Sequence, residues 1–343
     1  MRESARLTVL ALVMAVGLGA SCAWAQAPQL PGRGSVLSAL TIAQGGGIRL
    51  LGMGGVCTAV ADEGNIRNAA SLVWVPRSTV EAGIVGMGTI DQGSGPEYTV
   101  RSYSLAQILS EQAAFEVRKT SLASNSYLNT LTGAVESVSY DAVLLAGGLR
   151  VGRRTSVGLT GALSSVHVDA APYRTRGQGR GGVEAGVFQW LSDRLSAGAV
   201  YSYWDEVESN YWLLPVPPPP TFSPGGSYRT TIIKGGLAYR PDDKTVVAGE
   251  YARLAYENRD AGWEITDSRP YWGVERSLSE GLCVRAGSYG GAWTAGVGYR
   301  ARNFRLDYAY AKDLNKESAE AMFPAVGPQP GSGTHYVSAV IGF

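Results

Sequence analysis

The residues able to do chemistry in this chain are few and scattered. His167 and His335 stand far apart, and Cys22, Cys57 and Cys283 share no close spacing with them. Structural and catalytic metals need His and Cys at short, repeated intervals, so no metal set is expected. No G-x-S-x-G elbow presents a nucleophile, and the residues point to no catalytic group and no cofactor. Gly52-Met53-Gly54-Gly55 has the look of a phosphate loop. A dinucleotide fingerprint needs a strand before it, a helix after it and an acidic residue about twenty positions on, and none of that context is present. More informative are charged residues set inside alternating apolar runs: Lys234, Glu250, Arg285, Arg305 and Asp307. Their chemistry would be electrostatic. Mixed signs suit charges that pair across a filled interior or contact a substrate. An ion-selective pore would carry one sign in a ring.

The elements that carry these charges read as strands. In Phe304-Arg305-Leu306-Asp307-Tyr308-Ala309-Tyr310, one face holds Phe, Leu, Tyr and Tyr, and the other Arg, Asp and Ala. Trp293 to Arg300 does the same, and Thr231 to Arg240 less cleanly. Period-two alternation over such lengths is strand rather than helix. About fourteen such segments follow one another, starting near Thr79, Glu97, Ala113, Val138, Arg154, Gly181, Leu195, Tyr228, Lys244, Trp263, Gly281, Ala292, Phe304 and Thr334. Connections after even-numbered strands are short, as at Val151–Arg153, Ser192–Arg194, Pro241–Asp243, Ser277–Glu280 and Arg302–Asn303. Those after odd-numbered strands tend to be long: Ser121–Ser137, Asp169–Arg180, Ser209–Ser227 and Asp313–Gly333, with brief exceptions near Glu257 and Gly290. Transmembrane barrels sort their loops in this way, with short turns facing the periplasm.

Composition agrees. Of 343 residues 45 are Gly, against an ordinary share of roughly 7%, and only 17% are charged. The 18 Tyr and 8 Trp, with so little charge, exclude disorder. Thirty Lys and Arg against 29 Asp and Glu leave a net charge of +1, which removes the electrostatic basis for binding nucleic acid. Tyr201, Tyr203, Tyr239, Tyr251, Tyr271, Trp272, Trp293, Tyr299, Tyr308 and Tyr310 recur near strand ends, as interfacial girdles require. Gly235-Gly236 and the pair Gly296 and Gly298 would let a closed sheet bend. A soluble barrel could use the same residues to pack a core, but both faces are more apolar or small than a water-facing sheet tolerates. Charge on a lipid face costs about 2–4 kcal/mol for Arg or Lys at mid-membrane, so the five strand charges are expected to face the lumen.

The first 25 residues read as a secretory signal: Arg2 and Arg6, the apolar run Leu7 to Leu18, and the Ala23-Trp24-Ala25 cleavage site. A lipoprotein reading through Cys22 wants Leu or Val three positions earlier, where Gly19 stands. Export leads to an oxidising compartment in which Cys57 and Cys283 would be able to pair; left apart, each is a small apolar filler. The chain closes on an alternating strand with Val337, Ala339, Ile341 and a terminal Phe343 on one face, like the signal read by the barrel assembly machinery.

Residues 26–78 do not read as barrel. Leu51-Gly52-Met53-Gly54-Gly55-Val56, then Ala59-Val60-Ala61-Asp62, then a polar step to Asn68-Ala69-Ala70, resembles the N-terminal region of the FadL/PorV superfamily. These are fourteen-stranded outer-membrane barrels of the long-chain fatty-acid transporter type. In that family Asn-Pro-Ala stands where this chain has Asn68-Ala69-Ala70. The strands Phe304 to Tyr310 and Thr334 to Phe343 resemble the PorV-like branch. The resemblance implies an all-β closed antiparallel barrel of about 14 strands over 79–343. It implies a plug or hatch over 26–78 that folds into the lumen, its motif carried by Leu51, Gly52, Met53, Gly54, Gly55, Asp62 and Asn68. It places the protein in the outer membrane of a Gram-negative-type bacterium with both termini periplasmic. The expected partners are outer-membrane lipid, the barrel assembly machinery, and either a hydrophobic ligand or secretion-system proteins. Two roles fit: passive transport of hydrophobic small molecules, and a PorV-like scaffold or cargo shuttle of a protein secretion system. A proline-rich loop, Trp212 to Phe222, would face outside and capture substrate, grip a partner or cover the mouth.

Overall fold

The computed structural model describes residues 47–62, 66–87, 98–124, 127–129, 134–171, 174–176, 180–207, 227–259, 262–312 and 333–343. The expected signal segment, the first part of the plug segment and the Trp212–Phe222 loop lie outside these residues. One helical turn, α1 (Ile48–Gly52), and a 3-10 segment (Ile66–Trp74) precede the strands. The strands are β1 (Thr79–Met87), β2 (Tyr98–Ile108), β3 (Ala113–Ser124), β4 (Ala134–Arg150), β5 (Thr155–Ala171), β6 (Arg180–Trp190) and β7 (Leu195–Val207). They continue with β8 (Ser227–Asp242), β9 (Thr245–Asn258), β10 (Trp263–Ser277), β11 (Leu282–Tyr289), β12 (Ala292–Arg300), β13 (Phe304–Lys312) and β14 (Gly333–Gly342). Two three-residue pieces, Tyr127–Asn129 and Arg174–Arg176, extend the ladders of β3 on β4 and of β6 on β5.

Every strand pairs antiparallel with its sequence neighbours, and β1 closes the ring on β14 from Thr79↔Gly342 to Met87↔Thr334. The result is a closed 14-stranded antiparallel barrel. The strands stand where the alternation places them; the largest shift is at β4, which starts at Ala134 rather than near Val138. The sequence suggests long loops over 121–137 and 169–180. The structure instead runs β3, β4 and β5 into both stretches. Ladder bonds are made by backbone and need no apolar pattern, so a strand continues where its side chains turn to Ser, Asp and Glu and the hydrophobic period disappears.

The barrel is inside out relative to a water-soluble one. Along β12 and β13 burial alternates residue by residue. Outward positions include Leu145, Leu159, Leu163, Ile233 and Val297, with Leu163 73% exposed. Inward positions include Glu81, Glu116, Arg118, Glu250, Arg305 and Asp307, all buried. Water would penalise that outer face at about 25 cal/mol per Å² of apolar surface; hydrocarbon does not, and a closed barrel leaves it no unpaired edge. Tyr201, Tyr251, Trp293, Tyr299 and Tyr308 lie outside, as a girdle needs. Tyr271 does not. It is buried inside, edge-on to Tyr289 with centroids 4.9 Å apart. Its neighbour Trp272 meets Trp293 at 5.8 Å.

The wall is uneven. Strands β4 and β5 have 17 residues each, whereas β11 has 8 and β12 has 9, joined by Gly290 and Gly291. The last β10–β11 pair is Tyr271↔Tyr289. Pro270, which has no N–H to donate, stands where β10 rises beyond that neighbour.

Candidate functional site: the plugged lumen

Residues 47–62 and 66–75 fill the lumen, and nearly all are buried. α1 lies against β11 to β14, and the 3-10 segment against β3 to β6. Glycine makes this possible on both partners. Gly54 and Gly55 both take φ 74°, the left-handed region that ends the helical turn. A methyl on Gly54 would also run into the backbone of Trp272 and Ser288, and one on Gly55 into the Tyr289 ring. Across from them, inward glycines of the wall receive the plug backbone. Gly273 and Gly287 meet Met53 and Gly54, Gly296 meets Gly52, Gly198 meets Thr58, and Gly148 and Gly158 meet Ala69. This revises the reading of the strand glycines as bending devices. Gly236 faces the Thr58 side chain, and Gly298 makes room for Arg285 and Asp307, whereas outward Gly235 touches nothing.

Asn68, fully buried, ties plug and wall together. Its amide nitrogen donates to the Thr58 carbonyl at 2.6 Å and to the Val187 carbonyl at 3.1 Å, and its oxygen accepts from Ala70 N–H. Nearby, Ser156 Oγ donates to Ala70 O and Ser196 Oγ to Ala59 O. These bonds satisfy irregular backbone that no ladder serves.

The charges form a closed ring. Arg49 grips Glu275 through two bonds, 2.8 and 2.7 Å, and reaches Asp62 at 2.8 Å. Asp62 meets Arg305 at 3.1 Å, Arg305 meets Asp307 at 2.6 Å, Asp307 meets Arg285 at 2.8 Å, and Arg285 returns to Glu275 at 2.6 Å. Three guanidinia alternate with three carboxylates, so the ring is neutral. Arg49 and Asp62 come from the plug; β10, β11 and β13 supply the rest. Buried charges persist only when paired and hydrogen-bonded. Burial by itself would favour the neutral acid, but the Arg305 and Arg49 guanidinia outweigh it and hold the Asp62 carboxyl below its ordinary range.

Of the sequence-expected luminal charges, Arg285, Arg305 and Asp307 stand in this ring. Lys234 and Glu250 form a second cluster at 3.3 Å. Glu250 Oε2 accepts from the backbone N–H of Cys57 and Thr58 at 3.0 and 2.8 Å, so a wall carboxylate caps the plug backbone. Arg49 and Glu275 were not singled out by the sequence, nor were two further clusters. Arg67 lies 3.5 Å from Glu184, and Arg118 binds Glu81 at 3.1 Å and Glu116 at 2.9 Å. A signal for Glu275 does exist: it shares the inward phase of Tyr271 and Gly273.

Leu51, Gly52 and Met53 are buried with the plug core. Cys57 and Cys283 are separate thiols, the first buried and the second half-buried. His335 lies on the outer face, its Nδ1 2.9 Å from the Tyr308 hydroxyl; His167 contributes backbone to β5. On β14, Val337 and Ile341 face outward and exposed, with Ala339 half-buried beside them, and Phe343, just past its end, is exposed as well. On the short-turn side of the plug a cavity of about 320 Å³ remains, lined in part by Arg49, Asp62, Trp74, Trp190, Arg240 and Cys283.

No protein-family model and no curated protein matches the sequence. Solved structures do. The Ralstonia pickettii toluene transporter TbuX is similar with a TM-score of 0.59 at 13% identity, over 88% of this chain and 99% of its own. The monoaromatic hydrocarbon channel CymD gives 0.56 at 14%, over 87% and 98%. A Pseudomonas aeruginosa FadL homologue gives 0.54 at 11%, over 92% and 100%. The likeness is one of fold: a closed fourteen-stranded barrel of FadL type.

Proposed function

We propose that this protein is an outer-membrane channel for passive movement of hydrophobic small molecules, with residues 47–62 and 66–75 closing its lumen. The observation that carries the reading is the combination of a lipid-compatible outer face with a plug seated on glycine and held by a neutral charge ring. A diffusion pore for ions needs a wet, open lumen with charge of one sign, whereas this lumen holds a plug and paired charges of both signs. The shared fold with toluene and monoaromatic hydrocarbon channels supports a cargo of that kind. A secretion scaffold of the PorV-like branch rests on the sequence motifs at the two ends alone. The short-turn end, where β1 begins and β14 finishes, is assigned to the periplasm because short turns face that side in outer-membrane barrels.

The test is uptake. Cells lacking their own hydrocarbon channels, with and without this barrel, are given radiolabelled toluene and, separately, a labelled disaccharide. Faster toluene uptake with unchanged disaccharide uptake is expected. Equal toluene uptake in both strains, with the barrel present and heat-modifiable on gels, would reject the reading.

A further inference from the structure

The cavity on the short-turn side of the plug has the composition of a binding site rather than of a packing fault. Its volume of about 320 Å³ falls at the lower end of the roughly 300–1,000 Å³ of small-molecule sites. Part of its wall is apolar, from Trp74, Pro76, Trp190 and Leu282. The two indoles stand edge to face, 6.4 Å between centroids. Charged groups of both signs and small polar residues line the rest, and most of the charges have their partners. Arg49, Arg285 and Arg305 are each ion-paired within the charge ring, and Arg285 Nη2 also reaches Cys283 Sγ at 2.9 Å.

Arg240 is different. Its guanidinium carbon lies 4.8 Å from the centroid of the Trp190 ring, and no carboxylate is paired with it among the described residues. The charged groups that act on it are Arg49 and Glu275. Both Glu275 oxygens are already taken, by Arg49 and by Arg285. Two further charges line the cavity, Arg300 and Glu280. With the ring neutral, Arg240 and Arg300 against Glu280 leave the lining net positive, and Arg150, its guanidinium carbon 3.9 Å from the Trp74 ring centroid, adds to that.

We propose that this cavity binds a small aromatic monocarboxylate, its carboxylate on the Arg240 guanidinium and its ring against Trp74 and Trp190. A planar guanidinium fixed on an aromatic face matches a carboxylate with two parallel hydrogen bonds. The indole face beside that pair lowers the local dielectric and strengthens it. A phosphate would leave the indole wall uncovered, and a net positive lining suits an anion. The site does not depend on the transport reading, since a barrel that passed only neutral hydrocarbons would still bind the anion here.

The test uses the full mature chain in detergent micelles, titrated by calorimetry with benzoate, with benzyl alcohol and with inorganic phosphate. Saturable one-to-one benzoate binding is expected, with benzyl alcohol and phosphate each at least about tenfold weaker, the worth of a charge-assisted hydrogen bond. Arg240→Gln weakens benzoate by about tenfold or more, while Arg153→Gln on an exposed turn leaves it unchanged. A second readout needs no variant. Cys283 lines the cavity, so benzoate protects its thiol from a maleimide and phosphate does not, as read by peptide mass spectrometry. Equal binding of benzoate and benzyl alcohol, undiminished binding to the folded Arg240→Gln barrel, or Cys283 labelling indifferent to benzoate would each overturn the proposal.

Discussion

Asp62 is the point at which the plug is most sharply tested, because a one-atom change there alters charge and little else. Its Oδ1 accepts from Arg49 Nη1 at 2.8 Å and from Arg305 Nη1 at 3.1 Å, with the side chain 1% exposed. Asp62→Asn keeps the shape and an acceptor oxygen, but leaves three guanidinia facing two carboxylates. Removing one partner of a buried ion pair costs about 3–5 kcal/mol. The lower figure applies here, since Arg49 keeps Glu275 and Arg305 keeps Asp307. At tenfold per 1.4 kcal/mol, about 3 kcal/mol is a shift of roughly a hundredfold in the seated-to-unseated ratio of the plug. The barrel is spared, because its ladder bonds do not pass through residue 62. Planar-bilayer recordings of the variant should therefore show openings far more often than the parent, with unchanged heat-modifiable migration. The double variant Asp62→Asn with Arg49→Gln removes a cation as well, and should open less often than the two single effects combined predict. Parent-like currents from Asp62→Asn, or loss of the barrel itself, would refute the view that the ring holds the plug rather than the wall.

Gly198→Ala drives a methyl into the Thr58 carbonyl, and overpacking of this kind costs about 1–3 kcal/mol; protease cleavage of the plug should rise, whereas Gly235→Ala, with nothing near its outward face, should match the parent. Burial, with the Glu250 carboxylate beside it, pushes the Cys57 thiol well up, so at pH 8 a maleimide should label the half-buried Cys283 and spare Cys57 until the chain is unfolded; equal labelling would place the plug outside the lumen. Phe343 is 69% exposed, so Phe343→Ala should change the stability of refolded barrel by no more than about 0.5 kcal/mol while lowering its yield in cells, and equal losses in both would remove the assembly role.

The wall was legible in the sequence because its signal is local. Period-two alternation, short turns at every second connection and the apolar character of most outward positions all act within one strand or one hairpin, and they place β10, β12 and β13 at their first residues. The plug was legible only as a motif. That Gly52 rests on Gly296, or that Thr58 rests on Gly198, depends on contacts between residues far apart in the chain, and nothing in either local run encodes the match. The same holds for the charge ring. Arg285, Arg305 and Asp307 stand out because they break apolar strands, but Arg49 sits in a plug with no period, and Glu275 borders Arg276 in a run that reads as a polar turn approach. The loops over 121–137 and 169–180 were misread for a related reason: a ladder outlasts the hydrophobic belt that reveals it.

Inward glycine and inward charge answer two halves of one packing problem. A fourteen-strand ring encloses more space than its own inward side chains can fill, so another segment must enter, and that segment brings irregular backbone. Glycine on the wall lets the backbone approach to contact distance at Gly158, Gly198 and Gly273, but contact alone leaves N–H and C=O groups unserved. Glu250, Asn68, Ser156 and Ser196 supply those bonds, and the ring neutralises what the polar wall would otherwise leave charged. Because the ring sums to zero, it offers a passing cation or anion no net attraction. Its disruption by one unit of charge, unlike the loss of one methyl contact, is felt by every member at once. A plug fastened in this way can stay shut against ions and still be released by a small local change.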